Sequence, residues 1–302
     1  MAGGSTKAVY AALFANLGIA IAKFGGAAYT GSSAMIAEGV HSVVDTSNQV
    51  LLLLGMKRAG RPASAAHPWG YSREIYFWCF VVAVVLFTAG GTFAIYEGFQ
   101  KLSHPHPIEN PMVNYVILGV AILLEAGSFA VAIKEFRKVA GSRHWWSAVT
   151  EAKDPVLFTV LFEDSAAMVG LVVALVGLIA AETLGIPALD GISSIVIGAV
   201  LIGASILLAR ETMSLIIGEA AAPEVLADVE RLICAETGVN GVRDITSVHL
   251  GPHDICVTAA VDFDDEVPAG EVERIVARIV EAVRAVQPDV KRLFLAPTSL
   301  DG

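Results

Sequence analysis

AMIAEGVHSVVDTSNQVLLLLGM, residues 34–56, decides how the rest of the chain is read. The stretch is long enough to cross a bilayer as a helix, which takes ~20 predominantly apolar residues. Glu38, His41, Asp45 and Asn48 interrupt it at spacings of three, four and three, which puts all four on one helical face. Ionisable groups at that depth are expensive, so they line a pathway or a binding site instead of facing lipid. An imidazole and a carboxylate one turn apart are also half of a divalent-cation site.

Composition agrees with a membrane setting. Of 302 residues, 55% are hydrophobic and 17% charged, and the mean hydropathy is +0.65; a soluble domain usually carries ~25% charged residues. Apolar segments fall at 8–29, 34–56, 75–99, 113–133, 155–181 and 192–209, which predicts six spans. Thr30-Gly31-Ser32-Ser33 makes the first two a hairpin. Lys57, Arg58, Arg61 and Arg73 lie in the second link, and Lys134, Arg137, Lys138, Arg143 and Lys153 in the fourth. Lys101 and Lys23 stand on the opposite side, so the excess of basic residues places both termini in the cytoplasm. The N-terminal residues lack a signal-peptide cleavage pattern, so the first apolar segment is expected to be retained.

The net charge of −10 is uneven: from residue 218 onward there are 16 acidic and 7 basic side chains. No basic patch suggests nucleic acid as a partner. Cys79, Cys234 and Cys256 are too scattered for a disulfide framework or a CxxC metal knuckle. The tail reads as helix 223–237, strand 246–250, strand 255–263, helix 270–286 and strand 292–296, an α+β layer with helices on one face of a sheet. Gly251-Pro252-His253-Asp254 is a hairpin-type turn between its first two strands. The expected domains are thus an all-α membrane domain, 1–217, and a cytoplasmic α+β domain, 218–302. About 80 residues bury only a modest core, so pairing with a second copy would help the tail.

The assembled pattern resembles the cation diffusion facilitator family of divalent-metal transporters. Tyr29-Thr-Gly-Ser-Ser33 precedes the polar helix, and His41-Ser-x-x-Asp45 sits in it. His67-Pro-Trp-Gly70 and Arg73-Glu74 open the third span, Asp164 lies in the fifth, and Asp190-Gly-Ile-Ser-Ser194 opens the sixth. The resemblance covers nearly the whole chain. It implies a ferredoxin-like tail, a Y-shaped homodimer and exchange of a metal ion for protons. Glu163-Asp164-Ser165 resembles the divergent zinc transporter 9-like branch of the family.

In that family two ligands come from the second helix and two from the fifth, each pair four apart. By that resemblance His41, Asp45 and Asp164 are metal ligands, and the position four before Asp164 holds Val160. Glu163, about 100° around the helix from Asp164, is a substitute only with a rotated or bent helix; Asn48, with its carbonyl oxygen, is either a substitute or a bridge between helices, and water is a third substitute. Three firm ligands leave room for Mn²⁺, Fe²⁺ or Co²⁺ beside zinc. Glu38 has a supporting role, and Glu125, deep in the fourth segment, is either a packing group or a proton relay. Glu97, beside Tyr96 and Lys101, is expected at an interface.

The family's extra loop site would need ligands where Ser64 and Tyr71 stand beside His67, so none is expected. Arg243, Thr258 and Ala296 likewise replace the tail ligands of some members, although His249 and His253 flank the hairpin turn. The acidic run from Asp262 to Glu266 reads as a solvated loop. His104 and His106 lie outside, as a weak collecting site or as incidental loop residues.

The resulting expectation is a secondary transporter that exports a divalent transition metal, zinc first, with protons as counter-ion. It has no prosthetic group and sits in a bacterial inner (plasma) membrane. The alternatives are a manganese, iron or cobalt exporter with the same site, a non-transporting sensor, and an intramembrane metal hydrolase. Against the last, HExxH is absent, and no Ser or Cys nucleophile stands beside a His base.

Overall fold

The computed structural model describes residues 2–30, 33–104, 111–140 and 154–299. They form two compact units, one of 1–58 with 74–213 and one of 59–73 with 214–302.

The first unit is helical: α1 (Ala2–Thr30), α2 (Ser33–Ala59), α3 (Glu74–Ser103), α4 (Pro111–Ala140), α5 (Pro155–Leu184) and α6 (Ala188–Ile217). Among the described residues, α1, α3, α4, α5 and α6 are long and apolar enough to cross a membrane. The 27-residue α2 carries the polar stripe, which dilutes its hydropathy. Phe14, Ile21, Leu123, Val176 and Ile206 are exposed on the helices, as a lipid-facing surface requires. Each helix runs past its apolar segment: α6 continues through Arg210 to Ile217, as the sequence suggests.

Local chemistry fixes the ends of α5. Asp154 is its N-cap, accepting from the backbone N–H groups of Val156 and Leu157, with Pro155 at the first helical position. Ser5 donates to the other oxygen of that carboxylate and so ties α1 to the start of α5. Gly185, with φ 66°, closes the helix in the left-handed conformation. α1 packs on α4 and α5, and α5 also contacts α3 and α4.

Glycines set the approach of α3 to α6. A Cβ on Gly98 would stand 2.7 Å from the Gly191 carbonyl oxygen, and one on Gly198 would stand 2.7 Å from that of Gly91. Small residues are what let membrane helices meet backbone to backbone. Leu86–Thr92, which includes Gly91, is π-helical, a local widening that a single 3.6-residue period does not anticipate.

The second unit holds α7 (Pro223–Cys234), β1 (Val239–Gly251), β2 (Asp254–Phe263), α8 (Ala269–Val286) and β3 (Val290–Thr298). The sheet order is β1-β2-β3, with β1 antiparallel and β3 parallel to the central β2. Val229 and Ile233 of α7 and Ile275, Ile279 and Val283 of α8 pack on Ile255, Val257, Ala259 and Val261 of β2. The hairpin turn is where the sequence puts it, with Gly251 opposite Asp254. β1 begins earlier than expected, at Val239 instead of residue 246. Register shifts near Asn240 and Arg243 break the strict alternation that marks a strand in sequence.

Residues 59–73 belong to this unit. Trp69 meets Phe294 edge-on at 6.2 Å and lies under the Arg292 guanidinium. Arg292 also bonds Asp254 and donates to the Trp69 carbonyl at 3.3 Å. Ser64 and His67 exchange backbone hydrogen bonds, so His67-Pro68 is a turn element, and the His67 ring lies tilted against Tyr71 with centroids 4.5 Å apart.

Candidate functional site

All four stripe positions lie in one unbroken helix, α2. The side chains of Glu38 and His41 are outside the described residues, as are 105–110, which include His106. Asp45 is half-buried, while Asn48 is 1% exposed.

Across from α2, α5 presents Glu163 and Asp164, both buried. The Glu163 carboxylate accepts from the Asn48 amide at 2.8 Å and from the Gln49 amide at 3.0 Å. Gln49 in turn accepts from Asn16 of α1 at 3.3 Å. Glu163 thus reaches α2. It clasps three helices together. Asp164, 1% exposed, accepts from Ser128 of α4 at 2.8 Å through one carboxylate oxygen. Val160, one turn before it, is fully buried and brings no donor atom.

Glu125 of α4 is 2% exposed. It lies within electrostatic reach of Asp164, Glu163 and Asp45. No lysine or arginine among the described residues pairs with Glu125, Glu163 or Asp164. Buried carboxylates without a basic partner require a cation or a proton as counter-charge. The described residues contain no group of three or more His, Cys, Asp or Glu that could hold a metal; the imidazole of His41 is not among them. Beside the carboxylates stands one orphan: the Asn48 Oδ1 is buried without a partner among the described residues.

Sequence reasoning passed over Gln49, Asn16 and Ser128. A buried amide or hydroxyl inside an apolar segment was the available signal, since such groups bond across membrane helices. At the other end of the unit, Lys101 bonds Glu97 at 3.3 Å, Asp190 at 3.0 Å and Ser194 at 3.4 Å. Lys101 therefore joins α3 to the Asp190–Ser194 motif of α6, with Glu97 pairing it within α3. In the tail, His249 faces the Gly251 carbonyl, and His253 faces Asp289.

Apolar helices around a seam of buried carboxylates and amides define a polytopic membrane protein. Residues 9–217 match the model of the cation efflux transmembrane domain, and the chain belongs to that family, the cation diffusion facilitators. It is 32% identical over 241 residues to the proton-coupled zinc antiporter SLC30A9, mitochondrial, of Xenopus laevis, which covers 79% of this chain and 43% of that protein. Metal tolerance protein C4 of Arabidopsis thaliana is 33% identical over 264 residues, covering 87% and 58%. The uncharacterized transporter MJ0449 of Methanocaldococcus jannaschii is 25% identical, covering 87% of each chain. The chain thus spans about half the length of the animal and plant relatives it matches, and it resembles the SLC30A9 branch.

Proposed function

We propose that this chain is a secondary active transporter that exports a divalent transition metal, zinc first, in exchange for protons. The observation that carries the reading is the set of buried carboxylates at Asp164 and Glu125 with no basic partner among the described residues. His41 and Asp45 of α2 and Asp164 of α5 hold the cargo. Imidazole and carboxylate bind a metal only when deprotonated, so metal and proton compete for the same atoms. Alternate opening of the two sides turns that competition into antiport, and Glu125 is a second carboxylate that can carry a proton near the site.

The rest of the reading has α2 as the sixth span and both termini in the cytoplasm of a cell with a plasma-membrane location. The transport domain covers 1–217, and the tail, 218–302, is ferredoxin-like and pairs with a second copy. The name of the SLC30A9 relatives supports zinc and proton coupling. Val160, which gives no donor where a ligand is expected, favours a second reading: a manganese, iron or cobalt exporter with the same site.

Metal flux and internal pH in proteoliposomes test both readings, with zinc, manganese, iron and cobalt compared. Wild type should move metal with opposite proton movement, while His41→Ala and Asp164→Ala should not. Unchanged flux in those variants removes the site, and flux that leaves internal pH still removes antiport.

A further inference from the structure

The Asn48 amide is the feature that the family pattern leaves unused. Its nitrogen donates to a carboxylate oxygen of Glu163 at 2.8 Å. The oxygen is the end left over, and it is buried with no partner among the described residues. An orphaned buried acceptor is rare in a folded chain, since leaving one unsatisfied costs about 1–3 kcal/mol. A cation bound beside it would satisfy that oxygen.

Three placements point to the cargo cation. Asn48 lies one turn beyond Asp45 on the same face of α2. Its partner Glu163 is the neighbour in sequence of Asp164 and lies within electrostatic reach of Asp45. The position from which α5 would supply a fourth ligand carries Val160, buried and apolar. An amide oxygen near two carboxylates, at a site short of one donor, is a cation ligand by chemistry.

We infer that Asn48 Oδ1 is the fourth ligand of the transported cation, and that Glu163 is a positioning residue that turns this oxygen toward the metal. The inference rests on the transport site proposed above, at His41, Asp45 and Asp164. The clasp extends from Glu163 through Gln49 to Asn16 of α1, so the carboxylate that holds the Asn48 amide is itself tied to a third helix through Gln49. One nitrogen and three oxygens make a harder donor set than two histidines with two carboxylates. Such a site narrows the preference for zinc over manganese and cobalt.

Cobalt tests this on the purified full chain, because the visible d–d bands of Co²⁺ report its ligand set directly. Asp164→Asn tests the underlying site. Asn48→Leu alone would strand Glu163, so it is read in the background of Glu163→Gln, which stays neutral and can still bond Gln49. Glu163→Gln by itself is expected to shift the bands and weaken cobalt binding by only a few-fold. Adding Asn48→Leu is expected to change the band pattern and weaken cobalt binding by a further ~10–100-fold. The loss should be smaller for zinc than for manganese. If Asp164→Asn keeps wild-type affinity, the proposed site itself is wrong. If Asp164→Asn abolishes binding while the Asn48→Leu combination matches Glu163→Gln in spectrum and affinity, the site stands and Asn48 is not a ligand.

Discussion

Adding a single methyl group at Gly198 tests whether α3 and α6 meet backbone to backbone. A Cβ there would stand 2.7 Å from the Gly91 carbonyl oxygen, 2.6 Å from Ile95 Cγ1 and 2.9 Å from the Ile95 nitrogen. Even weak carbon–oxygen contacts sit at ~3.3–3.6 Å, so the shortfall is about 0.6 Å. Two of the three obstacles are backbone and cannot rotate away. The helices must part, and overpacking of this kind costs about 1–3 kcal/mol. Gly203 lies on the same helix with nothing within 4 Å of an added Cβ. Gly203→Ala should therefore gain up to about 1 kcal/mol of helix propensity without a clash. The gap between the two variants is then roughly 2–4 kcal/mol, or on the order of 10 °C in melting temperature. Tryptophan fluorescence of the solubilised full chain during heating measures it. Gly91→Ala added to Gly198→Ala should cost less than it does alone, because the helices have already separated. If Gly198→Ala and Gly203→Ala melt together, the close approach of α3 and α6 is wrong.

Two further outcomes follow from other contacts. Ser128→Ala removes the hydroxyl that holds one oxygen of Asp164, and outer partners of ligands are worth ~10–100-fold in metal affinity; titration of the purified chain with zinc should show a loss in that range, and wild-type affinity would sever Ser128 from the site. Maleimide should label exposed Cys234 first, half-buried Cys256 next and buried Cys79 last. Burial pushes the Cys256 thiol above its ordinary value and the Arg292 charge partly offsets this, so Arg292→Gln should slow labelling of Cys256 further at fixed pH; mass spectrometry of timed samples reads both effects, and labelling of Cys256 ahead of Cys234 would refute the packing of β2.

The element types were legible from the sequence wherever one physical signal dominated. Long apolar runs mark α1, α3, α4, α5 and α6, and a 3.6-residue apolar stripe marks α7 and α8. The misses fall where a second effect competes. β1 is 13 residues long, but its bulges interrupt the period-2 pattern, and only the regular half, from residue 246, stands out. The π-helical stretch in α3 leaves composition untouched and changes only hydrogen-bond register, so no pattern of hydrophobicity can show it. Residues 59–73 look like a charged cytoplasmic link, and charge does not disclose that Trp69 and Arg292 bind the link to the tail sheet.

For the candidate site, the sequence identifies which groups are too costly to be idle but not what each one touches. Spacing on α2 puts Asp45 and Asn48 on one face, yet a face has no partner until a second helix is placed against it. Glu163 illustrates the gap. Counted from Asp164 it points about 100° away, which argues against a shared site, but its carboxylate meets the Asn48 and Gln49 amides of the facing helix. Its bonds to Asn48 and Gln49 then reassign both substitutes for the missing ligand at once. Glu163 spends its oxygens on helix packing, and by taking the Asn48 nitrogen it frees the Asn48 oxygen. On the inference that Asn48 Oδ1 is a ligand, the donor that α5 lacks at Val160 comes from α2, which neither helix discloses alone.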